Sequence, residues 1–244
     1  MEKRWDRKGQ ERTMLVTLMV LIVSFIIILL FIFRADLWGI TDREICHNSV
    51  VLRDKTEGIS GPLDCKTNYL CISGGGDCEI TASEKVEVNL EIKEEIMKAI
   101  AEEMSSCWWM FGEGEAKYAE GALFSKRACV ICSITSFDER VQESSLILSY
   151  QDLYNYLRTT PKSSSQSYLN YIYSVNSLDT FQNFYISNYL SNNIDTSKEY
   201  FILTGRSKTT FGGASGSESI PITILEKTTE NYNAVNCDEF ITKA

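Results

Sequence analysis

Histidine is almost missing from this chain of 244 residues: His47 is the only one. A Ser–His–Asp triad has no second histidine to draw on, and no Gly-x-Ser-x-Gly motif accompanies the many serines. His47 directly follows Cys46, and sequence neighbours seldom reach the geometry of a Cys–His dyad, so we expect a surface histidine. The sequence therefore argues against hydrolase triads.

Charge is missing from residues 14–33, which read MLVTLMVLIVSFIIILLFIF. At about 1.5 Å per residue, a helix of that length spans a hydrocarbon core of ~30 Å. We predict a single transmembrane helix here, with the lipid bilayer as its partner. A cleaved secretory signal fits less well, because the run is longer than the usual apolar region and no small-x-small site follows it.

The basic residues around this run lie mainly on its N-terminal side. Residues 1–13 carry five Lys or Arg, whereas Arg34 is followed by the acidic Asp36 and Asp42. This asymmetry predicts a cytoplasmic N-terminus and an extracytoplasmic C-terminal domain. We therefore expect a signal-anchor, single-pass protein of the cytoplasmic membrane.

All eight cysteines follow the apolar run. An even number of cysteines on the oxidising side of a membrane predicts up to four structural disulfides, whose connectivity the sequence leaves open. The candidates are Cys46, Cys65, Cys71, Cys78, Cys107, Cys129, Cys132 and Cys237.

The part of the chain beyond the apolar run is acidic. Residues 35–244 contain 18 basic and 30 acidic residues, a net charge of −12. Nucleic-acid binding needs a basic footprint, so we expect no nucleic-acid partner. The same charge argues against docking on anionic lipid.

Composition and periodicity indicate an α+β fold with a small sheet and several short helices. We divide the chain into a cytoplasmic basic segment (1–13), the transmembrane helix (14–33), a Cys/Gly-rich membrane-proximal segment (34–83) and an extracytoplasmic domain (84–244). Met97, Ile100, Met104 and Cys107 form a helical stripe, with glutamates including Glu103 on the opposite face. Residues 128–137 predict a central strand.

Shorter patterns complete this description. Three helical stripes begin near residues 150, 168 and 178, and their many tyrosines indicate core packing first and a recognition face second. Two further strands, at residues 200–203 and 220–225, are joined by a Gly/Ser-rich stretch predicted as a loop.

Cys129-Val-Ile-Cys132 is the only Cys-x-x-Cys motif. A redox pair needs a helix N-terminus that lowers a thiol pKa, but this motif lies in a predicted strand. Residues three apart in a strand point to opposite faces, so we expect the two cysteines to pair with different partners. A zinc site would require a second such motif or a Cys/His pair, and we predict no metal and no cofactor.

Trp108, Trp109, Glu113 and Glu115 lie within CWWMFGEGE and are the candidate binding residues. Aromatic rings stack on pyranose rings, and paired carboxylates can act as acid and base on a glycan. The alternative is structural: the tryptophans pack on disulfides, and Gly112 and Gly114 form a turn.

Two stretches resemble known families. Arg7-Lys8-Gly9-Gln10 ahead of the apolar run resembles the class III signal peptides of archaeal pilin-like subunits, which are cut after the glycine; this chain has Met14 where that family usually has glutamate. The series CWWMFGEGE…ACVICSITSF…SYLNYI, within residues 95–205, resembles a family of single-span archaeal membrane proteins with no assigned activity. The second resemblance implies location and fold, and no catalytic residue.

Three functional hypotheses follow. The first is a membrane-anchored, non-enzymatic binding or structural protein whose partner is another protein or a glycan. The second is a pilin-like filament or secretion-system subunit processed after Gly9. The third is a cell-envelope enzyme that acts on glycans through Glu113 and Glu115.

Overall fold

A computed structural model describes residues 14–28, 41–56, 61–79, 81–118, 126–176, 192–211 and 214–242. Internal contacts divide the chain into two units, Met1–Thr41 and Asp42–Ala244. In the first unit, residues 14–28 form helix α1. Its Ser24 hydroxyl donates to the carbonyl of Val20 at 2.5 Å, so the helix itself satisfies this polar group.

The predicted transmembrane helix over residues 14–33 is wrong by this structure. Within the described residues, no helix is both long and apolar enough to cross a membrane. Residues 29–33, and the predicted cytoplasmic segment 1–13, lie outside the described residues.

The second unit is an α+β domain with a mixed sheet. Its helices are α2 (Asp42–Lys55), α3 (Lys93–Met110), α4 (Glu139–Gln142), α5 (Tyr150–Thr159), α6 (Tyr168–Tyr173) and α7 (Thr229–Ala234). Its strands are β1 (Asn68–Ser73), β2 (Glu84–Glu87), β3 (Lys126–Phe137), β4 (Leu148–Ser149), β5 (Asn193–Ile194), β6 (Tyr200–Phe211), β7 (Ala214–Glu226) and β8 (Glu239–Phe240). A short 3₁₀ turn spans Gly112–Gly114.

Strand β3 is central in the main sheet, as its β-branched and apolar run predicts. The order is β2-β1-β3-β6-β7, and β8 pairs with the first part of β3. Strands β1, β2 and β3 run parallel to one another, whereas β6 and β7 form an antiparallel hairpin beside β3. A register shift between Ile131 and Ser133 marks a bulge at Cys132.

Helix α3 packs on one face of this sheet and forms the main core with α2, α5 and α6. The predicted stripe residues Met97, Ile100, Met104 and Cys107 are all buried. Helix α5 begins with a capping box, in which Ser149 and Asp152 satisfy each other's backbone N–H groups. A smaller apolar cluster contains Ile134, Phe201 and Leu203.

Four disulfides use all eight cysteines, which confirms the disulfide prediction and fixes the connectivity. The pairs are Cys46–Cys65, Cys71–Cys78, Cys107–Cys132 and Cys129–Cys237. The Cys107–Cys132 bridge fastens α3 to the central strand, and the Cys129–Cys237 bridge fastens the C-terminal segment to the same strand. The two cysteines of the Cys-x-x-Cys motif therefore have different partners.

Three local predictions need correction or fall outside the described residues. The Gly/Ser-rich stretch after residue 208 is largely strand, because β6 and β7 continue as a long hairpin. Helix α2 lies in the Cys/Gly-rich segment 34–83, where no helix was predicted. The third tyrosine-rich helix, predicted from residue 178 on, lies outside the described residues.

Candidate functional site

Trp108 occupies the core at the C-terminal end of α3. Its side chain is 8% exposed and packs beside Gly114, where an added Cβ would lie 2.6 Å from Cη2 of the indole. Gly112, Glu113 and Gly114 all have φ between 55° and 78°, a conformation that favours glycine. The Gly-Glu-Gly turn thus reverses the chain against Trp108, in agreement with the structural interpretation of these glycines.

Trp109 is half-buried and stacks on His47 of α2. The two ring centroids are 4.1 Å apart with an interplanar angle of 9°, and Nδ1 of His47 lies 2.8 Å from the carbonyl oxygen of Trp109. The histidine predicted on the surface is therefore packed between two helices. Because Trp108 is buried and His47 covers one face of Trp109, the two indoles do not present a shared stacking platform.

Glu113 and Glu115 are exposed beside this turn. Glu113 accepts a hydrogen bond from the hydroxyl of Tyr171 at 2.6 Å. Burial raises the pKa of Tyr171, and the Glu113 carboxylate raises it further, so this hydroxyl keeps its proton. The predicted binding residues are thus divided between the core and the surface, and a glycan-binding or catalytic role for them stays a prediction.

A cleft of about 490 Å³ opens on another side of α3, between this helix and strands β1 and β2. Leu70, Val86, Val88 and Ala99 give it an apolar floor. Five glutamates and two cations complete the lining: Glu84, Glu87, Glu95, Glu102, Glu103, Arg43 and Lys98.

A polar network closes one end of this cleft. Nη2 of Arg43 bonds to the carboxylate of Glu84 and lies 2.6 Å from Oε2 of Glu103, while its Nη1 donates to the Ser106 hydroxyl at 3.1 Å. Nδ2 of Asn68 donates to Glu84 at 3.0 Å. These groups hold one another, so they shape the cleft more than they offer reactive atoms.

Glu103 is the most deeply placed member of this network, with 3% of the residue exposed. Burial raises the pKa of its carboxyl, and the facing Arg43 guanidinium opposes that shift without cancelling it. The helical pattern predicted Glu103 on the exposed face of α3. Its spacing of three from Ile100 and four from Cys107 places it on the edge of the buried stripe, and this spacing is the signal that could have located it.

The remaining glutamates lie along the rim. Glu95 accepts the backbone N–H of Asn89 at 2.7 Å. Glu102 accepts from the Tyr168 hydroxyl and lies 3.3 Å from Nζ of Lys162. Neighbouring groups therefore hold Glu95 and Glu102 in place, and Lys85 lies 4.0 Å from the third rim carboxylate, Glu87.

Every cysteine in the described part of the chain is in a disulfide, so none of them presents a free thiol. The described residues also contain no group of three or more His, Cys, Asp or Glu side chains arranged to hold a metal ion. The Cys-x-x-Cys motif accordingly serves as an anchoring point for two separate bridges.

Searches against protein-family models, curated proteins and solved structures found no match for this chain. The two resemblances drawn from sequence motifs therefore stay predictions, and function rests on the geometry of the sites described above.

Proposed function

We propose that this protein is a non-catalytic binding protein of an oxidising, extracytoplasmic compartment, and that its ligand occupies the cleft between α3 and β2. The observation that carries the proposal is the cleft itself. Its volume lies within the usual range of ligand sites, and it combines an apolar floor with a few fixed polar groups, as such sites commonly do.

The walls of the cleft are fastened by covalent bonds. Helix α3 supplies one wall and is bound to β3 by the Cys107–Cys132 bridge. Strand β1 pairs with β3 and supplies part of the floor, and the Cys71–Cys78 bridge closes the loop that follows β1. A cleft held in this way loses little conformational entropy when a ligand binds, and this favours affinity.

Binding is favoured over catalysis by the state of the two carboxylates at the closed end of the cleft. A general acid or base must reach a substrate proton within hydrogen-bond distance. Glu103 and Glu84 are instead engaged by Arg43 and Asn68 at the closed end of the cleft. They support the shape of the site.

The cysteines support the proposed compartment. Four disulfides in one domain are typical of proteins that fold outside the reducing cytosol. Counting thiols under denaturing, non-reducing conditions should find none free in the protein isolated from its native source. A majority of free thiols would contradict this part of the proposal.

Ligand-detected NMR with a mixed set of short peptides, mono- and disaccharides and small amines tests the binding function. We expect ligands whose signals change with the native protein and not with Ala99→Trp, because the new indole fills the floor of the cleft. Ile147→Trp is the matched control, since Ile147 is 70% exposed and does not line the cleft. Binding that is equal in both variants, or no ligand at all, would overturn the proposal.

A pilin-like subunit is the second candidate. The observation that favours it is the exposed apolar surface of α1, where the side chains of residues such as Met14, Phe25 and Ile28 are more than half exposed. In a filament, this helix would pack against the same helix of neighbouring copies. N-terminal sequencing of the mature protein tests it: a start at Gln10 supports processing after Gly9, and an intact N-terminus rejects it.

A further inference from the structure

Strand β2 is an edge of the sheet beside the cleft. Among the described residues it pairs with β1 alone. An edge strand presents alternate backbone N–H and C=O groups to whatever lies next to it. Strand β2 therefore offers backbone hydrogen-bonding groups along one side of the cleft.

The opposite edge of the sheet, β7, is interrupted at Pro221 and Ile222. Pro221 lies within β7 and has no N–H to donate. The carbonyl of Ile222 accepts a hydrogen bond from the Tyr173 hydroxyl at 2.6 Å, which occupies a group near the same edge. Of the two edges, β2 is therefore the one at which we expect a further strand to fit.

Helix α3 completes a groove along this edge. Glu95, Lys98, Ala99 and Glu102 have the spacing i, i+3, i+4 and i+7, so they form one face of the helix toward the cleft. The four residues of β2 extend about 13 Å, the length of a four-residue extended segment. A groove bounded by an edge strand and a helix accepts an extended peptide by strand addition.

Resting on the proposed function, we infer that the ligand is an extended basic segment of a partner protein that adds to β2 as a further strand. Its apolar side chains lie over Leu70, Val86 and Val88. Its Lys or Arg side chains meet Glu87 and Glu95 on the rim.

Charge complementarity selects this occupant. The cleft lining has five glutamates against Arg43 and Lys98. Arg43 is engaged by Glu84 and Glu103, Lys162 lies 3.3 Å from Glu102, and Lys85 lies 4.0 Å from Glu87, so five carboxylates face four cations and one negative charge is left over. The whole chain carries a net charge of −9. An acidic segment is repelled at the rim, whereas a basic segment is attracted and associates faster at low salt.

The edge is also protected against unselective pairing. Strand β2 is short and reads Glu-Lys-Val-Glu, and charged residues on a short edge strand discourage pairing with apolar strands. Lys85 projects from β2 and lies 3.0 Å from a carboxylate oxygen of Asp77. Strand addition is thereby limited to segments whose charges suit the rim.

The test uses an eight-residue peptide of alternating lysine and valine, its glutamate–valine counterpart, and two lysine–valine peptides N-methylated at odd or at even positions. Fluorescence anisotropy against the full disulfide-bonded protein gives the affinities. We expect the basic peptide to bind and the acidic one to fail. N-methylation at one set of alternate positions, odd or even, should weaken binding more than tenfold. N-methylation at the other set should leave the affinity within about twofold, because strand addition uses alternate N–H groups.

Substitutions then locate the binding. Replacing Glu87 and Glu95 by glutamine should weaken the basic peptide about threefold to tenfold, since each exposed charge pair contributes a few-fold in affinity. The same two-charge change at the exposed Glu139 and Glu143, the first residue and the C-cap of α4, is the matched control and should have no effect at 0.15 M salt. Ala99→Trp should abolish binding.

Each remaining outcome rejects a defined part of the inference. Equal binding of both N-methylated peptides overturns strand addition. An equal loss of affinity in the control variant at Glu139 and Glu143 would show that only net charge matters, and this would also overturn the inference. If the NMR screen finds other ligands in the cleft while the basic peptide does not bind, the inference fails and the proposed binding function stands.

Discussion

Asp138 joins two parts of the fold through one buried carboxylate, and its substitution is the sharpest test of how the domain is held together. It is 1% exposed. Oδ1 accepts from the N–H groups of Gly74 at 3.0 Å and Val141 at 2.9 Å. Oδ2 accepts from the N–H of Gly76 at 2.6 Å and the hydroxyl of Ser73 at 3.0 Å. The end of β1 is thus tied to the start of α4.

Asp138→Asn keeps the acceptor at Oδ1 and places an NH₂ group against the N–H of Gly76. One buried donor then loses its partner, and we expect a loss of about 1–3 kcal/mol in the free energy of unfolding. Asp138→Ala removes all four bonds and the N-cap of α4, so we expect about 3–5 kcal/mol.

The pH dependence of stability gives a second readout. Burial opposes ionisation of Asp138, but the N–H bonds from Gly74, Val141 and Gly76 outweigh it and hold its pKa below the usual range. A carboxyl whose folded pKa is lowered stabilises the protein above its unfolded pKa, and this contribution is lost as the pH falls through the folded pKa. Acidification below about pH 4 should therefore destabilise the native protein more than Asp138→Asn.

Urea unfolding with the disulfides intact, followed by far-UV circular dichroism between pH 2.5 and pH 7, measures both effects. Asp195→Asn is the control, because Asp195 also has a lowered pKa but is exposed and bonds only locally, to Ser197. We expect it to cost less than about 0.5 kcal/mol. The reasoning is refuted if Asp138→Asn costs no more than this control, or if it keeps the full acid sensitivity of the native protein.

Three further results are expected. Replacing both cysteines of Cys129–Cys237 by serine should lower the free energy of unfolding by about 4.7 kcal/mol, against about 2.4 kcal/mol for Cys71–Cys78. The difference is expected because the bridges join cysteines 108 and 7 residues apart, and a longer closed loop restricts the unfolded chain more. Equal losses in urea unfolding would contradict this loop-entropy argument. Arg43→Met should lower the free energy of unfolding by about 2–3 kcal/mol at pH 8, because the Glu103 carboxylate is left without its cation. The loss should be smaller at pH 5, since the raised pKa of Glu103 lets that carboxyl take up a proton there. A loss that does not depend on pH would exclude this explanation. Tyr173→Phe should cost about 1 kcal/mol and increase aggregation measured by light scattering, and unchanged scattering would show that this hydroxyl does not protect the β7 edge.

Local patterns in the sequence located the elements whose periodicity is strong. The stripe through Met97 and Met104 gave α3, and the β-branched run before Phe137 gave the central strand. Helix α2 was missed because its apolar positions are few: only Cys46 and Val50 are buried, and charged residues occupy both ends. A weak stripe of this kind is decided by the tertiary contacts of the helix, here those with α3.

The long β6–β7 hairpin was missed for a different reason. Gly, Ser and Thr dominate the stretch after residue 208, and this composition is typical of loops. Strand pairing with β7 and with the start of β3 holds it as sheet. At Gly205 an added Cβ would lie 2.6 Å from the Ala128 carbonyl, so glycine here serves a close approach of two strands.

The candidate cleft could not be predicted from the sequence, because its parts come from four separate segments. Arg43, Glu84 and Glu103 are distant along the chain and meet only after β1 and β2 pair and α3 packs across them. The conspicuous motif, CWWMFGEGE, instead supplied core packing through Trp108 and a turn through Gly114. The conspicuous tryptophan and glycine residues thus serve packing and chain reversal, whereas glutamates without a recognisable motif line the cleft.

Helix α3 connects the fastening point at Cys107 with the cleft. Its C-terminal end is fixed to the centre of the sheet by Cys107, and its first and middle turns, with Glu95 and Glu102, form the wall of the cleft. Burying Glu103 on the same helix costs desolvation energy that an apolar residue would avoid. The Arg43 pair offsets part of that cost and links α3 to the edge strand through Glu84. Because replacing a buried ion pair by apolar residues of similar volume is often neutral or stabilising, these three charges contribute more to the spacing between α3 and β2 than to stability.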